Sequence, residues 1–166
     1  MRLPALLPAL ALAALSGCNL TPVYSGGSAS PAAALLSKIT IAPIPDRSGF
    51  LVRQALIDRL GAVAGEPRYR LEIELDDQIV GFGVRGDNSA ARERRTLRAR
   101  YRLVDIASNS VLLDASAGAD AGIDRVSSNY AVVAAETTAL ERLSVDLARQ
   151  ITTRLALFGR AAPKTP

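Results

Sequence analysis

The sequence predicts an α+β two-layer sandwich, with two helices packed on one face of a four-stranded, mainly antiparallel sheet in the order β-α-β-β-β-α. Three observations carry this. Tyr69, Leu71, Ile73 and Leu75 alternate strictly with Arg70, Glu72, Glu74 and Asp76, the period of two that a strand with one buried face requires. Leu97, Ala99, Tyr101 and Leu103 alternate in the same way with Arg98, Arg100 and Arg102. Val133, Thr137, Leu140, Leu143, Leu147, Ile151, Leu155 and Phe158 recur every three to four residues, the stripe of a long helix with one side buried. A sheet with one apolar face and helices with one apolar stripe bury both by stacking in two layers.

The elements follow in chain order. Lys38 to Ile44 reads as a first strand, ended by Pro43 and Pro45. A helix of about Gly49 to Leu60 comes next, with Asp46 or Ser48 as its cap, Gly61 as its stop, and Val52, Leu56 and Leu60 on its buried side. Residues 68–84 form the second strand. Its apolar phase changes past Asp77, where Val80, Phe82 and Val84 take over, and a β-bulge near Asp76–Gln78 accounts for the change. Gly86-Asp87-Asn88-Ser89 is a turn signal. The third strand is Ala91 to Ile106, the next turn Ala107-Ser108-Asn109, and the fourth strand Val111 to Ala117. Gly118 to Ser127 reads as a loop, and the closing helix runs from Asn129 to Phe158 behind Ser127 or Ser128.

The N-terminus has a different character. Arg2 precedes an almost unbroken run of Leu, Ala and Pro from Leu3 to Leu15. That run is shorter than the ~20 residues a spanning helix needs. A charged start, a short apolar stretch and small residues before a cut site describe a secretory signal peptide. Leu15-Ser16-Gly17-Cys18 resembles the lipobox of bacterial lipoproteins, and Cys18 is the only cysteine in the chain. The expectation is cleavage before Cys18 and lipidation of its thiol. Two or three acyl chains, at ~0.8 kcal/mol per buried CH₂, give a stable anchor where one is marginal. Asn19 follows, where an Asp would resemble an inner-membrane retention signal, so the outer membrane is favoured. Residues 1–17 are then the signal peptide, 18–37 the lipidated cysteine with a flexible Ser-, Gly-, Ala- and Pro-rich tether, 38–159 one domain, and 160–166 a disordered tail.

Composition narrows the function. Without the first 17 residues, 149 of 166 remain, enough for one domain with a core and not for two. No cysteine is left for a disulfide, so packing alone must hold the fold. The chain has no histidine, which removes Ser-His-Asp catalysis and histidine metal sites. It has no GxxxxGK[ST] phosphate loop, and Gly81-Phe-Gly83-Val-Arg-Gly86 lies between antiparallel strands, the wrong context for a dinucleotide. Glu72, Glu74 and Asp76 occupy alternate positions of an exposed strand face, as solvated carboxylates do. No catalytic residue, metal or cofactor is expected.

The third strand carries the remaining signal. Arg92, Arg94, Arg98, Arg100 and Arg102 share one face, with Arg95 close by. At ~6.6 Å between alternate residues they form a stripe roughly 30 Å long. If residue i opposes about 174 − i across the hairpin, Glu72 meets Arg102, Glu74 meets Arg100 and Asp76 meets Arg98, each pair contributing roughly 0.2–1 kcal/mol. Arg92, Arg94 and Arg95, near the turn, have only Asp87 and Glu93 nearby. Guanidinium forks so concentrated suit phosphates or carboxylates. Arg92, Arg94, Arg95 and Arg98 are therefore the candidate phosphate-binding residues. Nucleic acid is not expected, because no aromatic residues interleave.

These residues also resemble a family. Cys18-Asn-Leu-Thr-Pro22-Val-Tyr24 is similar to the C-G-F-x-P-x-Y opening of LptE, the lipopolysaccharide-assembly lipoprotein, in its alphaproteobacterial form, with Asn19-Leu20 where Gly-Phe is usual. The helix after Pro45-Asp-Arg resembles that family's first helix. Asn129-Tyr-Ala, Glu136 and Leu147-Ala-Arg-Gln-Ile-Thr-Thr-Arg-Leu155 resemble its closing helix. The resemblance covers the mature chain and implies a plug in the outer-membrane β-barrel LptD that helps the barrel assemble and interacts with lipopolysaccharide. Two other classes bear stating. A periplasmic auxiliary lipoprotein of a lipid or solute ABC transporter would bind through the sheet edge or the arginine face. A cell-wall hydrolase would need a carboxylate pair in a catalytic context that this chain does not offer.

Overall fold

In the computed structural model, residues 30–84 and 90–161 are described. Their order is α1 (Pro31–Leu36), β1 (Ile39–Ile41), α2 (Asp46–Leu60), β2 (Tyr69–Val84), β3 (Ala90–Asp105), β4 (Ser110–Asp124) and α3 (Asn129–Ala161). The strands lie in the spatial order β1-β2-β3-β4. β1 is parallel to β2, and β2, β3 and β4 form an antiparallel meander. The expected mixed α+β sandwich is therefore the fold, with one helix more than the sequence suggested.

That helix, α1, lies where a flexible tether was expected. Pro31 occupies its first turn, Ser30 caps it through an Oγ that accepts from the Ala33 N–H, and Ala32, Leu35 and Leu36 are buried. Three apolar residues among small ones read as linker until a surface exists to bury them. Here α3 supplies it: a Cβ on Gly159 would stand 3.1 Å from the Ala32 Cα and 3.2 Å from the Leu35 Cβ. At its other end the domain also differs from expectation, since α3 continues to Ala161, past the expected boundary at 159. The expected turn at Gly86–Ser89 and the tail from 162 on lie outside the described residues.

α2 begins at Asp46, earlier than expected. Neither Asp46 nor Ser48 caps it. The N-cap is Pro45, without a side-chain bond; Asp46 has φ 67°, and Ser48 is buried. Gly61 does close it, at φ 77° with its N–H on the Ile57 carbonyl.

The register between β2 and β3 runs unbroken from Tyr69 opposite Asp105 to Phe82 opposite Arg92, at the spacing anticipated. There is no bulge at Asp76–Gln78. The change of apolar phase has another cause: Val80 and Phe82 stand on the outer face of the sheet, exposed. The irregularity lies elsewhere. Leu103 faces Leu113 while Val104 faces Val111, so Leu112 is the extra residue. β4 is also longer than expected, and the segment read as a loop from Gly118 is strand to Asp124. Its alternation is concealed by small residues: Ala115, Ala117, Ala119 and Ala121 face the helices, and Ser116, Gly118, Asp120 and Gly122 face outward.

Between the layers, Leu71, Leu97, Leu103, Leu147, Ile151 and Leu155 are wholly buried with Val52 and Leu56 of α2. Each such side chain contributes about 1.5–3 kcal/mol. α3 has 33 residues, about 50 Å at 1.5 Å per residue. It runs from the hairpin end, where Arg95 Nη1 donates to the Glu136 carbonyl, past Gln150, whose Nε2 donates to the Gly118 carbonyl, to α1 at the other end.

Candidate ligand-binding face

The outer face of the sheet carries the candidate site, because the helices cover the other one. β3 holds arginine at five alternate positions interrupted only by Thr96, so pleating aims Arg92, Arg94, Arg98, Arg100 and Arg102 outward together. Arg70 joins them from β2. Opposing them on the same face are Glu72, Glu74, Asp76, Asp114, Asp120 and Asp124. The cations and anions named are equal in number, so placement rather than net charge decides what this face can bind.

Most of the arginines are engaged. Arg102 reaches both Glu72 at 3.4 Å and Glu74 at 3.5 Å. Arg100 makes a two-pronged contact with Asp114 of β4, at 3.2 and 2.8 Å, and not with Glu74. The Arg100 hydrogen bond comes first among the causes that hold the Asp114 carboxyl below its ordinary range. Arg92 donates to Asp124 at 2.7 Å. Of the three pairs the hairpin register suggested, only Arg102 with Glu72 forms. Asp76 instead accepts from Gln78 Nε2 at 3.0 and 3.2 Å.

Arg70 donates to Glu72 at 2.9 Å, so two outer arginines remain. Among the described residues, neither Arg94 nor Arg98 makes an ion pair, although Asp76 and Asp120 occupy neighbouring register positions. The Arg94 guanidinium lies 5.6 Å from the centre of the Phe82 ring, a cation–π contact. The Arg98 stem passes beside Gly118, whose missing side chain leaves it room: a Cβ there would be 3.4 Å from Arg98 Cγ. Four residues apart along one strand, their Cα atoms are set about 13 Å apart. A shallow groove of about 790 Å³ adjoins Arg98, bordered by Asp76, Thr96, Arg100, Ser116 and Asp120. Beside Arg94, Val80 and Phe82 are 58% and 42% exposed. Free guanidinium beside exposed apolar surface matches an amphiphile with an anionic headgroup.

Arg95 does not belong to this face. An odd-numbered residue of β3, it points to the helix side and donates to Asp77 from Nε at 2.9 Å and Nη2 at 2.7 Å. Of the four candidate residues, the structure thus sets Arg92, Arg94 and Arg98 on one face and Arg95 on the other. The sequence reading missed Asp114, Asp124, Phe82 and Gly118. The signal available for Asp114, Gly118 and Asp124 was the outward alternation of β4, hidden among its alanines and glycines, and for Phe82 the unbroken alternation of β2. Among the described residues no cluster of three or more metal-ligating side chains occurs, and no helix is long and apolar enough to cross a membrane.

The comparisons with known proteins bear on this face. The sequence model of the lipopolysaccharide-assembly family LptE matches residues 36–155. The chain belongs to the LptE family. A solved lipoprotein structure from Caulobacter crescentus CB15 shares 29% identity with this LptE-family chain and a TM-score of 0.66, covering 82% of this chain and 99% of that one. The minor lipoprotein of Acinetobacter baumannii shares the fold at 14% identity and a TM-score of 0.56, over 74% of this chain and 94% of that one. The rare lipoprotein B of Shewanella oneidensis does so at 8% identity and a TM-score of 0.56, over 72% and 92%. No curated protein sequence matches this chain. LptE is a family of non-catalytic lipoproteins, and the role of this chain lies in lipopolysaccharide assembly in the Gram-negative envelope.

Proposed function

We propose that this chain is an outer-membrane lipoprotein, lipidated at Cys18 after loss of residues 1–17, that plugs an LptD-type β-barrel. In this reading it helps the barrel assemble and contacts lipopolysaccharide through Arg94 and Arg98, with Arg92 at the edge of the site. The observation that carries the reading is the pair of outer-face guanidiniums without carboxylate partners among the described residues, beside exposed Val80 and Phe82, in a member of the LptE family. Phosphates engage such groups by charge-assisted hydrogen bonds, and the apolar neighbours suit acyl chains. A barrel lumen is polar, and the outer sheet face, with its internally compensated ion pairs, suits contact with such a wall. Arg95 is left out of the site because Asp77 occupies its fork.

The test is a mild-detergent pull-down of the tagged full-length protein from its native membranes, read by mass spectrometry. A stoichiometric LptD-type barrel supports the plug reading. Recovery of an inner-membrane ABC transporter with no barrel overturns it.

A further inference from the structure

The hairpin end of the molecule is built differently from the rest of its interior. The main core stops at Leu97 and Leu140. Beyond it the helix side of the sheet carries Arg95 and Glu93 where leucines would continue the pattern. Arg95 and Asp77 form an ion pair with side chains only 13% and 18% exposed, and Arg95 also donates to the Glu136 carbonyl of α3. Glu93, its side chain 8% exposed, accepts from Arg125 Nη1 at 2.8 Å through one carboxylate oxygen, while Oε2 is buried without a hydrogen-bond partner. Past this charged layer lie Ile123 and Val132, buried but outside the main core cluster.

The helix above this layer is weakly determined locally. Residues 129–138 include β-branched Val132, Val133, Thr137 and Thr138, which resist helix. Their first turn has no acidic residue, and the Ser128 Oγ accepts from the Ala131 N–H at a long 3.4 Å. Tyr130 is 92% exposed and Val133 59%, so they add little burial. From Leu140 on, by contrast, Leu143, Leu147, Ile151 and Leu155 anchor every turn.

We propose that residues 129–138 are a lid, held shut where Arg95, fixed by Asp77, donates to the Glu136 carbonyl above the buried Glu93–Arg125 pair, and that it opens without melting the main core. A buried ion pair holds one geometry but adds little net stability over apolar packing, because both charges regain water when it breaks. An orphaned carboxylate oxygen gains still more on opening. The charged layer therefore specifies the closed position and keeps the opening inexpensive in free energy, the condition for a local unfolding unit. Opening bares Ile123 and Val132, which lie outside the main core. The lid is independent of the barrel and lipopolysaccharide readings.

Hydrogen exchange of the full-length protein in mild detergent, read by mass spectrometry, tests this. Amides of 131–138 are expected to exchange about 100-fold or more faster than those of 143–156, as a subglobal opening requires. Equal protection along α3 overturns the proposal. A second arm replaces the pair by apolar residues, Asp77→Leu with Arg95→Met. Slower exchange at 131–138, by about tenfold, with 143–156 unchanged is expected; unchanged or faster exchange at 131–138 overturns it. Should the double variant fail to fold, the wild-type profile decides alone.

Discussion

Arg94 and Arg95 are adjacent in sequence and lie on opposite sides of the sheet: Arg94 stands over the Phe82 ring on the outer face, and Arg95 grips Asp77 beneath the first turns of α3. The same substitution at the two positions should have different consequences. Arg95→Glu sets a second carboxylate against Asp77 in a largely buried place and should lower stability by about 2–3 kcal/mol, somewhat under the loss for a fully buried pair. Arg94→Glu changes an exposed side chain and should stay within about 0.5 kcal/mol. Urea denaturation of both variants measures the difference, and equal losses would contradict the assigned facing.

Lipopolysaccharide binding should depend on which guanidiniums are free. Charge-assisted hydrogen bonds contribute about 1.5–3 kcal/mol, so Arg94→Glu with Arg98→Glu should weaken binding by at least tenfold. Arg100→Gln, whose wild-type fork is already held by Asp114, should weaken it by less than about threefold. Displacement of a fluorescent lipopolysaccharide probe by the full-length variants reads both. Equal effects would remove the special standing of Arg94 and Arg98.

The contact of α1 with α3 is tight at position 159, where a Cβ would stand 3.1 Å from the Ala32 Cα. Gly159→Val drives a Cβ toward Ala32 and Leu35, and should cost about 1–3 kcal/mol and a lower Tm. The loss should be accompanied by faster hydrogen exchange in residues 32–36. A neutral outcome would mean that α1 is not held where it is seen.

Asp105 gives the fold a pH dependence of known sign. Its carboxylate accepts first from the Ser108 N–H, and also from Ser108 Oγ, Arg68 and the Ala107 N–H, which together hold its carboxyl below the ordinary 3.8. A depressed folded-state value means stability that is present above the unfolded value and lost as pH falls through the folded one. Asp105→Asn should therefore be less stable than wild type at pH 7, and the gap should narrow steadily below about pH 4. Denaturation midpoints at pH 7 and pH 3 check this; a gap that widens in acid would reverse the sign.

The two long antiparallel strands, their register and the closing helix were legible because the chain repeats a clear period in each. Leu71, Ile73, Leu97 and Tyr101 alternate with charges, and Leu140 to Leu155 recur at helical spacing. The outward arginine stripe was legible for the same reason. Less visible were α1, whose Ala32, Leu35 and Leu36 look like linker residues, and the second half of β4, whose alanines and glycines have little propensity for strand.

By itself the sequence determined the fold class, the outward stripe of arginines and the lack of histidine chemistry, because periodicity and composition are properties of the chain alone. Tertiary structure decided which arginines are free. Asp114 and Asp124 claim Arg100 and Arg92 from a neighbouring strand, and Asp77 claims Arg95 on the opposite face. Arg94 and Arg98 make no such pair: β4 sets Gly122 and Gly118 opposite them, and Asp76, opposite Arg98 on β2, accepts from Gln78 instead. Whether a guanidinium is neutralised depends on atoms a few ångströms away, and those come from residues some 14 to 32 positions distant in the chain.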